Sequence, residues 1–437
     1  MSNSYNFVIQ GTGFRSIFAA MYLANKGKKV CLIDRGGEIY SFLKPFVWNG
    51  YILDKGPQYF DDFRMSDWEL LNELLDGDYF QDIGFSYGSF ANGNLSTDFA
   101  IPVWNHFSDL NLDDVFDDLI TSRKENYDKF EHFDEYLKFD GGSKLYQHLR
   151  MFTEKFLIKD SSELSAVTKN IIPFCGRKVL FDNKKSMQLK QDQFYDNVLA
   201  AKKKDVDSDR YNLYPKSTNN EDIRLALEKA LKRLNVDLYL QCEIQELSHK
   251  KNEMKLNDGS KFKFEKVFLA DNIQNTENYF FKTEKISNNI FNLPEIFFIF
   301  EIKKNAFLNR NYIVNYDLNH ISTRITNFSN YSNLERENDV ICVEAPTLLN
   351  SNMWKTPEKF VEKIKNEINE IAGKNVEVLD FKCFNIPTTY KLPLKQYDDS
   401  VDEFVNKIYE EKNYVLPNHL FLTRKNSIDT VKQVIDF

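Results

Sequence analysis

The opening stretch "YNFVIQGTGFRSIFAAMYLANKGKKVCLIDRGG" constrains the fold of this chain more than any other. Residues 6–10 are a short apolar run that reads as a buried strand, and Gly11-Thr12-Gly13 follows at once. The next residues carry apolar side chains at helical spacing, and Gly27 is placed to end that helix. "KVCLID" then reads as a second buried strand ending in Asp34, 23 residues after Gly11. Strand, glycine turn, helix and strand within about 30 residues is the setting in which a G-x-G-x-x-G pattern acquires physical meaning. Gly11 permits the tight turn, and Gly13 lets the main chain approach a pyrophosphate. The start of the helix, at Phe14 and Arg15, offers N–H groups and partial positive charge to that anion. Asp34 is placed to accept hydrogen bonds from ribose hydroxyls, with Arg35 beside it. Ser16 stands where a third glycine is expected. That position serves helix–strand packing, and serine is small enough to leave the site intact. The alternative is an ordinary βαβ unit with a chance glycine pair.

At 437 residues the chain has room for two or three domains' worth of core. A hydrophobic fraction of 42% makes it globular, and 38 phenylalanines are enough to line an aromatic pocket. With only 16 glycines, the clusters at Gly11/Gly13, Gly36/Gly37 and Gly141/Gly142 carry more information than usual. A net charge of −8 argues against a nucleic-acid partner, which needs a basic face. No apolar run approaches the roughly 20 residues of a membrane helix, and no signal peptide precedes the first strand. The expectation is a cytoplasmic protein without membrane insertion. Five scattered cysteines with no CxxC, and six histidines with no paired spacing, point to neither a disulfide framework nor a metal site.

Further along, "GYIL" reads as a short strand running into Asp54-Lys55-Gly56-Pro57, a tight backbone passage. Residues 66–160 are acidic and helical in pattern, which also suits a solvated helical face. The segment "NEDIRLALEKALKRLNVDLYLQCEIQELSHKKNEMKLNDGSKFKFEKVFLADN" predicts a helix, a strand, a hairpin across Asn257-Asp258-Gly259 and a last strand at 266–270. Residues 294–387 look strand-rich, with "EIFFIFEI" as a buried strand and one amphipathic helix near 356–372. The tail, "HLFLTRKNSIDTVKQVIDF", predicts a strand, a polar turn and a helix.

In this order the pieces resemble the superfamily of FAD-dependent amine oxidases, protoporphyrinogen oxidases and UDP-galactopyranose mutases. "LIDRGGEIYSF" looks like the place where the ribose-binding acid leads into a paired-glycine turn, and "DKGPQYF" is similar to the Asp-x-Gly-Pro-His segment beside the flavin ring. Gln58 stands where histidine is frequent in the mutases. "RYNLYPKSTNNEDIRL" resembles a Tyr-Pro-x-x-Gly-Gly segment before a helix, with Ser217 to Asn220 replacing the glycine pair. In that superfamily the strand that follows the helix holds the adenine through the backbone of a valine, and the resemblance puts Ile244 at that position. "VNYDLNHISTRITNFSNYS" is similar to the mutases' Asn-Tyr…Thr-Arg-Ile-x-Glu stretch, so that Arg324 matches a substrate-facing arginine and Asn327 replaces the glutamate. "LFLTRKNSIDTV" is similar to the superfamily's closing Gly-Arg or Gly-Asp motif, which caps the FAD pyrophosphate or ribityl; Thr423 stands in place of the glycine and Arg424 keeps the cation.

The resemblance implies an α/β protein: a Rossmann-like FAD-binding domain, discontinuous in sequence (1–85, 205–275 and 386–437), and a second α+β substrate domain with an antiparallel sheet (86–204 and 276–385). The active site is expected between them. The implied FAD contacts are Gly11, Gly13, Phe14, Arg15, Ser16, Asp34, Arg35, Gly56, Pro57, Gln58, Ile244 and Arg424, and the implied catalytic residues are Arg324, Tyr59 and Gln58. Arg324 equally suits a strand-end surface arginine, and Tyr59 suits core packing. The first functional reading is an oxidoreductase that moves a hydride from a small molecule to flavin N5, with surface-sugar biosynthesis suggested by analogy with fold relatives. The second is a mutase-like, redox-neutral reaction on a nucleotide sugar. It needs arginines for the diphosphate, with Arg177 and Arg424 behind Arg324, and a stacking tryptophan and tyrosine, for which Trp104 and Tyr390 are available. The third is a flavin-free binding protein on the same fold.

Overall fold

The computed structural model describes residues 3–84, 86–124, 130–202, 209–248, 251–270, 273–281, 283–331, 336–410, 413–416 and 424–435. The chain divides into two compact units: Met1–Gly84, Asp209–Asn288 and Asp399–Phe437 form the first, and Phe85–Ser208 and Asn289–Asp398 the second. Residues 276–288 thus fall in the first unit and 386–398 in the second, the reverse of their assignment from sequence.

The first unit is built on a parallel sheet. β1 (Asn3–Gln10) lies between β2 (Val30–Asp34) and the strand Lys261–Phe268, parallel to both, and Asp237–Leu240 extends the sheet beyond β2. Two antiparallel strands, Glu253–Leu256 and Ile244–Ser248, complete the far side. The hairpin across residues 257–259 is present, but its second strand runs unbroken from Lys261 to Phe268, so no separate strand starts at 266. Alternate burial of Phe262 and Phe264 carries the strand straight into the fully buried Val267 and Phe268. Between β1 and β2, α1 (Phe14–Asn25) buries Ile17, Phe18, Ala20 and Met21, and Gly27 follows its end at φ +76°. The helix Asn220–Arg233 packs Ile223, Leu227, Ala230 and Leu231 into the same core. Glu221 and Asp222 in its first turn and Lys232 and Arg233 in its last suit the helix dipole. The tail helix is Arg424–Ile435. The strand expected before it, and Thr423, lie outside the described residues.

In the second unit a seven-stranded sheet runs in the order Val378–Pro393, Ile290–Lys303, Asn338–Pro346, Arg324–Asn327, Tyr312–Asn315, Tyr87–Ala91 and Asn94–Ser96. All neighbours are antiparallel except Tyr312–Asn315 and Tyr87–Ala91. On one face Phe298, Phe300, Ile302, Ile325 and Ile341 pack against Ile364, Ile368 and Ile371 of the helix Val361–Ala372. On the other, Leu293, Val314 and Tyr316 join a core with the helices Leu112–Lys124 and Phe133–Leu157. Because both faces are covered, "EIFFIFEI" is apolar almost throughout instead of alternating. Residues 66–160 are not purely helical. They contain Phe80–Asp82 and the hairpin Tyr87–Ala91/Asn94–Ser96, closed by Asn92 and Gly93 at φ +49° and +71°. Positive φ at both central residues is what an Asn-Gly hairpin turn supplies.

Among the described residues no helix is long and apolar enough to cross a membrane, and no group of three or more His, Cys, Asp and Glu is placed to hold a metal ion.

Candidate functional site

A cleft of about 410 Å³ opens in the first unit at the N-terminus of α1, lined by Gly13, Phe14, Arg15, Tyr40, Gln58 and Arg424, with Asp61 and Ser427 beside them. Gly11 turns the chain at φ +87°, a conformation that favours glycine, and its N–H donates to the Ile33 carbonyl at 2.8 Å. Gly13 caps α1 with no side-chain hydrogen bond, so the first N–H groups of the helix have no side-chain cap there. A Cβ at Gly13 would meet nothing within 4 Å, which leaves space directly above those donors. Asp34 lies behind the turn. Its Oδ2 accepts from the Thr12 main-chain N–H at 2.7 Å and the Thr12 hydroxyl at 2.8 Å, and its Oδ1 from the Gly36 N–H at 2.6 Å. A Cβ at Gly36 would sit 2.9 Å from that oxygen, so a larger residue there would push the carboxylate from this position.

Ser16 is buried and points away from the cleft: its hydroxyl donates to the Gln10 carbonyl at 3.1 Å. The serine thus satisfies a main-chain oxygen at the end of β1 and is not among the residues that line the cleft. Arg424 is tied to the Gly56-Pro57-Gln58-Tyr59 segment, donating to the Tyr40 hydroxyl (2.8 Å), the Tyr59 carbonyl (2.7 Å) and Gln58 Oε1 (2.8 Å), with its guanidinium 4.6 Å from the Phe60 ring centre. Gln58 in turn donates to the Lys55 carbonyl at 2.9 Å. Tyr59 is half-buried. Arg15 donates to the Ala270 carbonyl at 3.0 Å and still lines the cleft. Arg35 is exposed on the surface. Ile244 is buried at the head of its strand, two residues after Cys242, whose N–H donates to the Asp34 carbonyl at 3.0 Å.

Several site residues were not singled out by the sequence. Asp54 Oδ2 accepts from the Tyr214 hydroxyl at 2.7 Å and from Asn220 at 2.9 Å, and Asn220 also donates to the Gln58 carbonyl at 2.9 Å. Asn220, in the stretch that lacks the glycine pair, therefore anchors the segment that carries Gln58. Asp61 lines the cleft, and burial pushes its carboxyl above the usual carboxylate range.

In the second unit Arg324 faces Glu344 directly across paired strands and donates to both carboxylate oxygens, at 2.9 and 2.6 Å. Glu344 is buried, while the Arg324 side chain is 27% exposed. Tyr390 lies against the guanidinium, and buried Glu295 stands near both, with its Oε2 lacking a hydrogen-bond partner. Burial, then the Glu344 charge, pushes Glu295 up to about 8. The folded protein therefore binds a proton there that the unfolded chain has released, and stability falls as pH rises from about 4.5 to about 8. Glu295→Gln is expected to flatten that slope and to leave the variant more stable than the parent above pH 8, read in denaturant titrations at several pH values. An unchanged slope would remove Glu295 as its source.

Arg177 is a surface residue, 51% exposed, paired with Asp196 at 2.8 Å. Trp104 is fully buried among Phe107, Phe152 and His148. Neither is placed for the diphosphate or stacking roles considered from sequence: an exposed ion pair holds the first, and core packing the second.

A glycine turn at a helix N-terminus, a carboxylate fixed at the end of β2 and a parallel sheet make the first unit a Rossmann-like α/β domain. Over the whole chain the fold is shared with solved structures at low identity. Reduced UDP-galactopyranose mutase aligns with a TM-score of 0.70 and 12% identity, covering 99% of this chain and 96% of that one. A protein from Exiguobacterium assigned as a protoporphyrinogen oxidase gives 0.63 and 14% over 100% and 99%. An engineered putrescine oxidase gives 0.63 and 10% over 99% and 98%. These are the groups that the motifs resemble, and the fold is theirs. The sequence matches no protein-family model and no curated protein.

Proposed function

We propose that the chain is an FAD-dependent oxidoreductase of the amine oxidase-like kind, acting on a small molecule. The residues of the cleft fit the cofactor. The uncapped start of α1 and the space over Gly13 suit the pyrophosphate, with Arg15 and Arg424 as nearby cations. A carboxylate has about four acceptor sites, and Asp34 uses three on Thr12 and Gly36, leaving one for a ribose hydroxyl. Asp54, Asn220 and Arg424 fix the segment carrying Gln58 and Tyr59, which by the resemblance runs beside the isoalloxazine. When bound, FAD supplies the hydride acceptor at N5.

The observation that carries the choice of reaction is the engagement of Arg324. Its guanidinium is matched by both oxygens of a buried carboxylate, with a second buried carboxyl beside it. A diphosphate would have to displace Glu344 to reach that cation, and the displaced carboxylate would repel it. A redox-neutral reaction on a nucleotide sugar is the second reading, favoured by the alignment with UDP-galactopyranose mutase. Thermal shift with UDP-galactopyranose separates the two. No change in Tm at millimolar ligand, with oxidised or reduced protein, is expected. A concentration-dependent rise would overturn the choice and favour the mutase reading.

A further inference from the structure

The cleft at the Gly13 turn offers N–H groups and cations to an anion, yet it also contains a carboxyl. Asp61 is the one acidic side chain among the described residues that line it, and no histidine is among them. A β-bulge brings Asp61 there. The strand Phe60–Phe63 pairs with Tyr211–Pro215, but Phe60 lies opposite Leu213 and Phe63 opposite Tyr211, so three steps on one strand match two on the other. The extra residue lets Phe60 and Phe63 both turn into the core, where they are fully buried. Asp62 takes up the bulge at φ +60°, a left-handed conformation unfavourable for a residue with a side chain. It is held there by Asn212, whose Oδ1 accepts from the Asp62 N–H at 3.2 Å, and by Arg210, which donates to the Asp62 carbonyl at 3.3 Å. Bulges re-aim a side chain and are common beside functional sites.

The charged groups around Asp61 leave its carboxyl without a salt bridge. Arg424, on the tail helix, spends Nε, Nη1 and Nη2 on Tyr40, Tyr59 and Gln58, and Arg15, at the start of α1, donates to the Ala270 carbonyl. No side chain among the described residues donates to Asp61. Burial pushes the carboxyl up, its own main-chain N–H and the Arg424 charge oppose that, and Asp62 adds to it. Tyr40 is the remaining ionisable group of the lining and is ordinarily neutral below pH 8. Resting on the reading that this cleft holds FAD, we infer that Asp61 is a cofactor-binding residue that works as an acid. It takes a proton from solvent as FAD binds and donates a hydrogen bond to the diphosphate. An ionised carboxylate accepts only and would repel that anion, whereas a neutral carboxyl carries a donor. Because FAD favours the protonated form, its affinity is greatest at low pH. It falls as pH rises between the Asp61 pKa of the free protein and the higher one of the complex. The diphosphate stays fully ionised and the flavin ring neutral throughout, so the cofactor adds no slope of its own.

Fluorescence titration of the full apo-protein with FAD at a series of pH values tests this, with thermal melts to confirm folding. The parent is expected to weaken at least about tenfold from about pH 5.5 to about pH 8, one bound proton allowing up to about tenfold per pH unit. Asp61→Asn keeps a donor and cannot ionise. It is expected to bind FAD with a flat pH profile, and more tightly than the parent at pH 8. Calorimetry of the parent in buffers of different ionisation enthalpy reads the same coupling without a variant, as net uptake of up to about one proton per FAD. A parent affinity without pH dependence, binding heats indifferent to the buffer, or an Asp61→Asn slope equal to the parent's would each overturn the proposal while leaving FAD in the cleft. A parent that takes up no FAD at any pH would overturn the reading of the cleft and the proposal with it.

Discussion

Replacing Gly13 with aspartate is expected to yield a folded protein that no longer takes up FAD. Residue 13 caps α1 at φ −69° and ψ 167°, angles open to any residue, and its Cβ would enter empty space. Aspartate is among the best N-cap residues and improves on a glycine cap by roughly a few tenths of a kcal/mol. The apo Tm should therefore hold or rise by a degree or two. The same carboxylate lies over the helix N–H groups, in the position proposed for the pyrophosphate. Two such charges about 4 Å apart repel by roughly 4 kcal/mol at an effective dielectric of 20, so FAD affinity should fall on the order of a thousandfold. Fluorescence titration of apo-protein with FAD, beside thermal melts, measures both. Retained affinity in Gly13→Asp would mean that the cofactor does not cross this turn.

Glu344→Ala is expected to be the most damaging change in the second unit. Removing one partner of a buried ion pair costs about 3–5 kcal/mol, because the remaining charge is left without compensation. Two features place the loss nearer the lower figure. Arg324 is partly exposed, and Glu295, relieved of the Glu344 charge, ionises more readily and takes over part of the pairing. The double variant Glu344→Ala/Glu295→Gln should therefore lose more than the sum of the two single changes, a coupling that chemical denaturation of the four proteins reads directly. Strict additivity would show that Glu295 does not reach Arg324.

The opening βαβ unit was legible because its signals are local: an apolar run, two glycines, helical spacing and a carboxylate at the end of the second strand. The hairpin at Asn92-Gly93 was equally local, yet it lies within an acidic, helix-patterned stretch that masked it. What could not be read was pairing at a distance. Asp54 meets Tyr214 and Asn220 across separations of 160 and 166 residues, and no spacing rule connects them. Arg324 was picked out by resemblance, but its neutralisation depends on sheet register, which sets Glu344 opposite it. Ser16 looked like a defect in a glycine pattern. Its hydrogen bond to Gln10 shows a substitution that is accommodated within the turn.

The first unit is expected to hold FAD at the Gly13 turn. An absorbance spectrum of the purified protein from about 300 to 550 nm, taken before and after heat release and again after incubation with added FAD, tests it most directly. The expected result is the two visible bands of a bound flavin, with FAD in the heat supernatant. A protein that is colourless as purified and stays colourless with excess FAD would contradict the account and leave the cleft to a ligand other than a flavin.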